Sequence, residues 1–263
     1  MNTYTQPHHI ADDVSRWTSL GVELPAELEE AIEVYETLKY TEVGHRPVFE
    51  LTEVTTANAE KLIRAYADEL VLSASNGGLS PLEKAKNAAV DSAARRVNTV
   101  AGQAVRSIID QLTSRFENHV EAYAEAVLAL PREITSESLV AAGPDAVALY
   151  GTAQQEAAHL NQIRNWVAGL NQLPGGGSRA HENVITILRP ADSRELIELD
   201  KANVRVDATL AALNPVWVAA VRLGVQFAIN TPREAAELRK RLEKDMRDQL
   251  RQKHQNVAYL PTA

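Results

Sequence analysis

From Val97 to Leu130 the apolar positions Val97, Ala101, Ala104, Ile108, Leu112, Phe116, Val120, Tyr123, Val127 and Leu130 follow steps of 4, 3, 4, 4, 4, 4, 3, 4 and 3. The mean step, about 3.67 residues, is an eleven-residue repeat, which predicts straight or slightly right-handed helix packing rather than a heptad coiled coil. Upstream, Ser80 suits an N-cap, Pro81 the first helical position, and Glu83 the place from which a capping-box carboxylate reaches back. No proline or paired glycine interrupts the pattern before Pro131. The chain is therefore expected to carry one helix over 80–130, a rod of about 75 Å. Its seam is mostly alanine and valine from Ala85 to Ala104 and bulky from Ile108 onward, which predicts close helix contact in the first half and a thicker core in the second. A rod with one apolar edge needs partners along its length, so Val97, Ala101, Ala104, Ile108, Leu112, Phe116 and Val120 are the expected self-association residues.

The same periodicity organises the flanks. Ile10 to Leu20 reads as a short amphipathic helix ended by Gly21, and a second helix runs from Pro25 to about Tyr40. Gly44 and Pro47 mark a loop; Val48 to Val54 reads as a short strand or an extended connector. Thr56 opens a helix to about Ser75 with Leu62, Ile63, Tyr66, Leu70 and Val71 inward, and the short Asn76-Gly77-Gly78 turn predicts that it folds back beside the rod. After Pro131 come a small helix around Glu137 to Ala142 and a long one from Pro144 to about Leu173. Asn183 to Leu188 is β-branched and predicts a strand, Ser193 to Asp200 a helix, Val204 to Val206 a second strand. Helices resume at Ala208 to Leu213 and Pro215 to Ile229, and Thr231 with Pro232 opens a last one to about Gln255.

The expected fold is mostly α: an elongated antiparallel helical bundle around one long central helix, with a small α+β insert near 183–207. Residues 1–173 form the helical domain, the glycine-rich stretch 174–180 a linker, and 181–263 a mixed, then helical, C-terminal region. Aromatic residues make up only 5% of the chain, which favours helix-on-helix packing over a β-sandwich. The absence of cysteine excludes disulfides, thiolate metal sites and cysteine nucleophiles.

The net charge of −8 sits in the first third, where residues 1–80 carry 14 acids against 5 bases. That part would repel phosphate and suits a basic partner surface. Met1 to Ile10 lacks the charged start and apolar run of a signal peptide. Val216 to Ile229, the most apolar window, is too short and too interrupted by Arg222 to span a bilayer. A soluble cytoplasmic chain without a membrane partner is expected, or a virion component if a phage encodes it.

Candidate chemistry is sparse. Glu156 and His159 form an E-x-x-H pair, the spacing that points a carboxylate and an imidazole into a bundle metal centre, but Glu117, Glu121 and Glu125 on the rod sit where a solvated stripe would. The only other such pair, Glu42 with His45, falls in a loop. His8, His9, Asp12 and Asp13 could grip a divalent ion or simply begin a helix. Gly175, Gly176 and Gly177 before Ser178 and Arg179 lack the ending of a phosphate-binding loop and read as a linker. Lys240, Lys244, Arg247 and Arg251 make a basic stripe opposite Ala235, Leu238, Leu242, Met246 and Leu250; it fits an acidic surface or phosphates, with Glu237, Glu243, Asp245 and Asp248 blunting its field. The tail residues Tyr259 and Leu260 are a candidate contact arm.

No nucleophile-base arrangement and no cofactor motif emerge. The cysteine-free, alanine-rich and arginine-rich helical style resembles virion or assembly proteins encoded by phages and prophages of GC-rich, actinobacterial-type bacteria. The expected function is a non-enzymatic structural or assembly subunit that self-associates or scaffolds a larger complex. The alternatives are a helical-bundle metal protein or enzyme using Glu156 and His159, and a nucleic-acid-associated protein using the basic C-terminal helix.

Overall fold

The computed structural model describes residues 6–43, 47–50, 54–74, 78–176, 184–203 and 207–258. The fold is mostly α. Its longest element is α4, Pro81–Ala129, a single helix of 49 residues. The capping box forms as its residues dictate: the Glu83 carboxylate accepts from Ser80 N at 2.7 Å, and Glu83 N donates to Ser80 Oγ at 3.2 Å. The chain divides into two compact units inside this helix, between Ala104 and Val105.

The first unit contains α1 (Pro7–Val14), a 3-10 turn at Trp17–Leu20, α2 (Ala26–Tyr40), α3 (Ala59–Ser73) and the start of α4. The expected helix over 10–20 is broken in two, and Gly21 closes the second piece in the left-handed region at φ 69°. Ala11, Val14, Trp17, Leu28 and Tyr35 are buried, as are Ala94, Val97 and Ala101 of α4. Polar bonds fix the helices: Asn98 Nδ2 donates to Pro7 O at 3.0 Å, and Arg96 lies 3.6 Å from Glu30. Residues 47–50 form no regular element.

Asp12 is the polar centre of this unit, accepting from Tyr35 Oη at 2.8 Å and Lys39 Nζ at 2.6 Å. Burial pushes the Asp12 carboxyl up, but the Lys39 and Tyr35 hydrogen bonds and the Lys39 charge outweigh it and hold it below the usual range. The stabilisation is therefore present above the ordinary carboxylate value and lost as pH falls through the lower folded one. Asp12→Asn should cost about 1 kcal/mol at pH 7, the pair being partly exposed. Urea titrations should show that difference vanishing near pH 2; an equal difference at both pH values would exclude the ion pair as its source.

The second unit contains the rest of α4, α5 (Ser136–Ala142), α6 (Pro144–Gly169), α7 (Ser193–Ala202), α8 (Ala208–Ala212), α9 (Pro215–Leu223) and α10 (Pro232–Ala258). A two-residue strand β1 (Leu188–Arg189) pairs antiparallel with β2 (Gln226–Phe227). Ile108, Leu112, Phe116 and Tyr123 of α4 are buried here, with Leu160, Ile163 and Val167 of α6 and Trp217 and Val218 of α9.

Three expectations change. The β-branched run at 184–187 is a buried turn rather than a strand, because its carbonyls are taken from the side: Asn230 Nδ2 donates to Ile185 O at 2.8 Å and to Leu188 O at 2.9 Å, and Asn230 N to Thr186 O. The helix expected over 215–229 stops at Leu223, since Gly224 takes the left-handed conformation at φ 73° and frees 226–227 to pair with β1. The second strand expected at Val204 to Val206 lies outside the described residues.

The second compact unit runs on through the glycine-rich stretch, of which residues 177–180 lie outside the described residues. Hydrogen bonds join the helices before it to the elements after it: Tyr123 Oη to Leu213 O at 2.6 Å, Tyr150 Oη to Thr209 O at 3.0 Å, and Arg222 to the carbonyls of Pro131 and Arg132. Pro174 to Gly176 makes a tight reversal in which a Cβ on Gly176 would stand 2.1 Å from Leu170 O. Glycine is required there by a backbone contact, not by flexibility. Gly176→Ala should lower stability by about 1–3 kcal/mol, whereas Gly151→Ala, in open space on α6, should be neutral or stabilising. Equal melting temperatures for the two variants would refute the contact.

Candidate functional site

The residues expected to self-associate along α4 are spent on the chain's own core. Val97, Ala101, Ala104, Ile108, Leu112 and Phe116 are buried and Val120 is half-buried. The edge is apolar as expected, but the chain itself covers most of it, and an uncovered apolar surface has to lie elsewhere.

Such a surface lies on α3. Asn58 precedes the helix, and residues 55–58 form a turn closed by Ala59 N donating to Thr55 O and by Thr55 N donating to Asn58 Oδ1. The helix has the amphipathic pattern that normally seats a helix in a core, yet none of its 15 residues is buried. Ile63 is 59% exposed, Leu70 45% and Val71 66%; Leu62 and Tyr66 are half-buried. The only ring contact on this face among the described residues is the edge-on approach of Phe49 to Tyr66, at 5.2 Å between centroids. The inward face expected for this helix is thus displayed to solvent, and so is much of the first part of α4, including Ala85 and Ala88.

Glu156 and His159 acquire a partner that local sequence could not supply. On α4, His119 Nδ1 donates to Glu156 Oε2 at 2.6 Å, and its ring stacks on His159 with centroids 4.5 Å apart and planes 18° from parallel. Stacked rings hold their nitrogen lone pairs in separate, nearly parallel planes, and one nitrogen of His119 is already engaged. The lone pairs do not converge on a point about 2.1 Å from both, as a shared metal would need. Glu117, Glu121 and Glu125 point away into solvent.

The N-terminal candidates also disperse. His8 Nδ1 faces Asp91 at 3.3 Å, Asp12 is held by Tyr35 and Lys39, and Asp13 pairs with Arg16. Among the described residues no group of three histidine, aspartate or glutamate side chains is placed to hold a metal ion. Gly177, Ser178 and Arg179, the end of the stretch read as a linker, lie outside the described residues, as does His45.

Lys240, Lys244, Arg247 and Arg251 of α10 are exposed, as are Glu237, Asp245 and Asp248 between them. The opposite face is seated by Ala235, Leu238 and Leu242, all buried. What docks the helix electrostatically is Arg239, which lies off the expected stripe: it reaches Asp200 of α7 at 2.8 Å and Glu243 at 3.0 Å. Burial pulls its guanidinium down, and the two carboxylates more than restore it. Beside this pair a groove of about 390 Å³ is lined by Leu196, Ile197 and Met246; another of about 440 Å³ lies against Leu210, Val218 and Leu223. The Leu250 side chain, Tyr259 and Leu260 fall outside the described residues.

Among the described residues no helix is long and apolar enough to cross a membrane. Compared with protein-family models, curated proteins and solved structures, the chain matches none.

Proposed function

We propose that this chain is a non-enzymatic structural or assembly subunit that self-associates through the exposed apolar face of α3. The observation that carries the reading is the contrast between that helix and the rest. Every other long helix buries an apolar edge, whereas α3 leaves Ile63, Leu70 and Val71 in water. Solvent-exposed apolar surface of this contiguity is characteristic of a contact site. The compositional likeness to phage and prophage assembly proteins points the same way.

Light scattering with mass determination tests the reading. The chain of 28.8 kDa should show a concentration-dependent mass above that of one copy, and Ile63→Ser with Leu70→Ser should return it to one copy. Helical circular dichroism should stay unchanged, because both side chains are largely exposed and such substitutions stay within about 0.5 kcal/mol. A mass of one copy at every concentration up to about 100 µM would overturn it.

A further inference from the structure

We infer that the occupant of the α3 face is α3 of a second copy of this chain, running antiparallel; the inference rests on the assembly reading above. Ala59, Ile63, Tyr66, Leu70 and Ser73 are spaced 4, 3, 4 and 3. That is a heptad seam, the register in which two helices of like sequence interlock. It differs from the mean step of about 3.67 along the self-covered edge of α4.

The charges choose the direction. The first half of α3, Ala59 to Tyr66, carries Lys61 and Arg64 against Glu60; the second half carries Asp68 and Glu69 with no base. The two halves of α3 thus differ in sign, a net base in the first and two acids in the second. Within the helix only Glu60 and Arg64 pair, at 2.6 Å, both strongly exposed; Lys61, Asp68 and Glu69 make no ion pair among the described residues. A parallel copy would align like charge with like. An antiparallel copy lays each basic half along an acidic half and opposes the two dipoles, with Tyr66 near the two-fold axis, Ile63 packing by Leu70 of the second copy, and Ala59 facing Ser73 of the second copy. Such a contact is closed and self-complementary. Two 15-residue helices, each about 22 Å long, bury less than the about 800 Å² per partner of a standard interface. Dissociation in the micromolar range is therefore expected.

The absence of cysteine makes the test clean. Ala59→Cys and Ser73→Cys are made singly in the full chain and oxidised mildly, alone and mixed, with mass measured in parallel. In the antiparallel pair the ends of one helix lie about 20 Å apart, beyond disulfide reach, so neither variant alone should cross-link and the mixture should. Cross-linking of Ala59→Cys with itself would mean a parallel pair and overturn the inference. No cross-link in any combination, with a multimeric mass, would place the contact elsewhere and overturn the inference while sparing the assembly reading. A mass of one copy would remove both.

Discussion

Asn230→Ala should destabilise the second unit by about 3–5 kcal/mol, the largest effect expected of any single polar substitution here. Asn230 is 1% exposed, and its amide nitrogen satisfies the carbonyls of Ile185 and Leu188, two residues that are themselves fully buried. Its Oδ1 accepts from Arg189 at 2.8 Å. Truncation leaves two buried acceptors without their partner, at about 1–3 kcal/mol for each, while the guanidinium of the exposed Arg189 turns to water. The same amide holds the 184–188 turn against β2, so its loss should also release the strand pair. Urea unfolding of the variant checks the magnitude, read on the transition of the second unit because two compact units need not unfold together. A change below about 1 kcal/mol would mean that water reaches those carbonyls.

The second large effect belongs to Tyr123, fully buried on α4 with its hydroxyl donating to Leu213 O at 2.6 Å. Its ring meets Trp217 and Phe227 edge-on, each at 6.4 Å between centroids. Burial drives its phenol far above the usual tyrosine range, so it stays a neutral donor at every pH the fold survives. Tyr123→Phe should cost about 1–2 kcal/mol through the orphaned carbonyl. Tyr123→Ala should cost about 3–5 kcal/mol through the added cavity and alter the Trp217 environment in near-ultraviolet circular dichroism. Thermal melts of the two variants separate hydrogen bond from packing. Equal losses would show that the ring contributes nothing beyond its hydroxyl.

Local signals were legible where local physics decides. Ser80, Pro81 and Glu83 foretold the start of α4, and Pro131 the region just past its end, because capping and proline sterics act within one turn. Pro144 and Thr231-Pro232 marked two further helix starts for the same reason. Gly224 is an equally local stop signal, set inside the apolar window that the helix over 215–229 was expected to fill. The partners of long-range contacts left no such mark. His119 lies 37 residues from Glu156 and Asn230 lies 45 from Ile185, so neither pairing falls within any periodicity.

The apolar edge of α4 and the amphipathic character of α3 were thus set by sequence alone, since each follows from propensity and spacing along one helix. Which apolar edge is covered from within was decided only by tertiary structure. Periodicity records that a face avoids water but not what it meets, and the same pattern describes the core edge of α4 and the solvent-facing edge of α3. Burial distinguishes them: Val97 and Ile108 are fully enclosed while Ile63 and Leu70 are not, which moves the candidate contact surface from the longest helix to a short one.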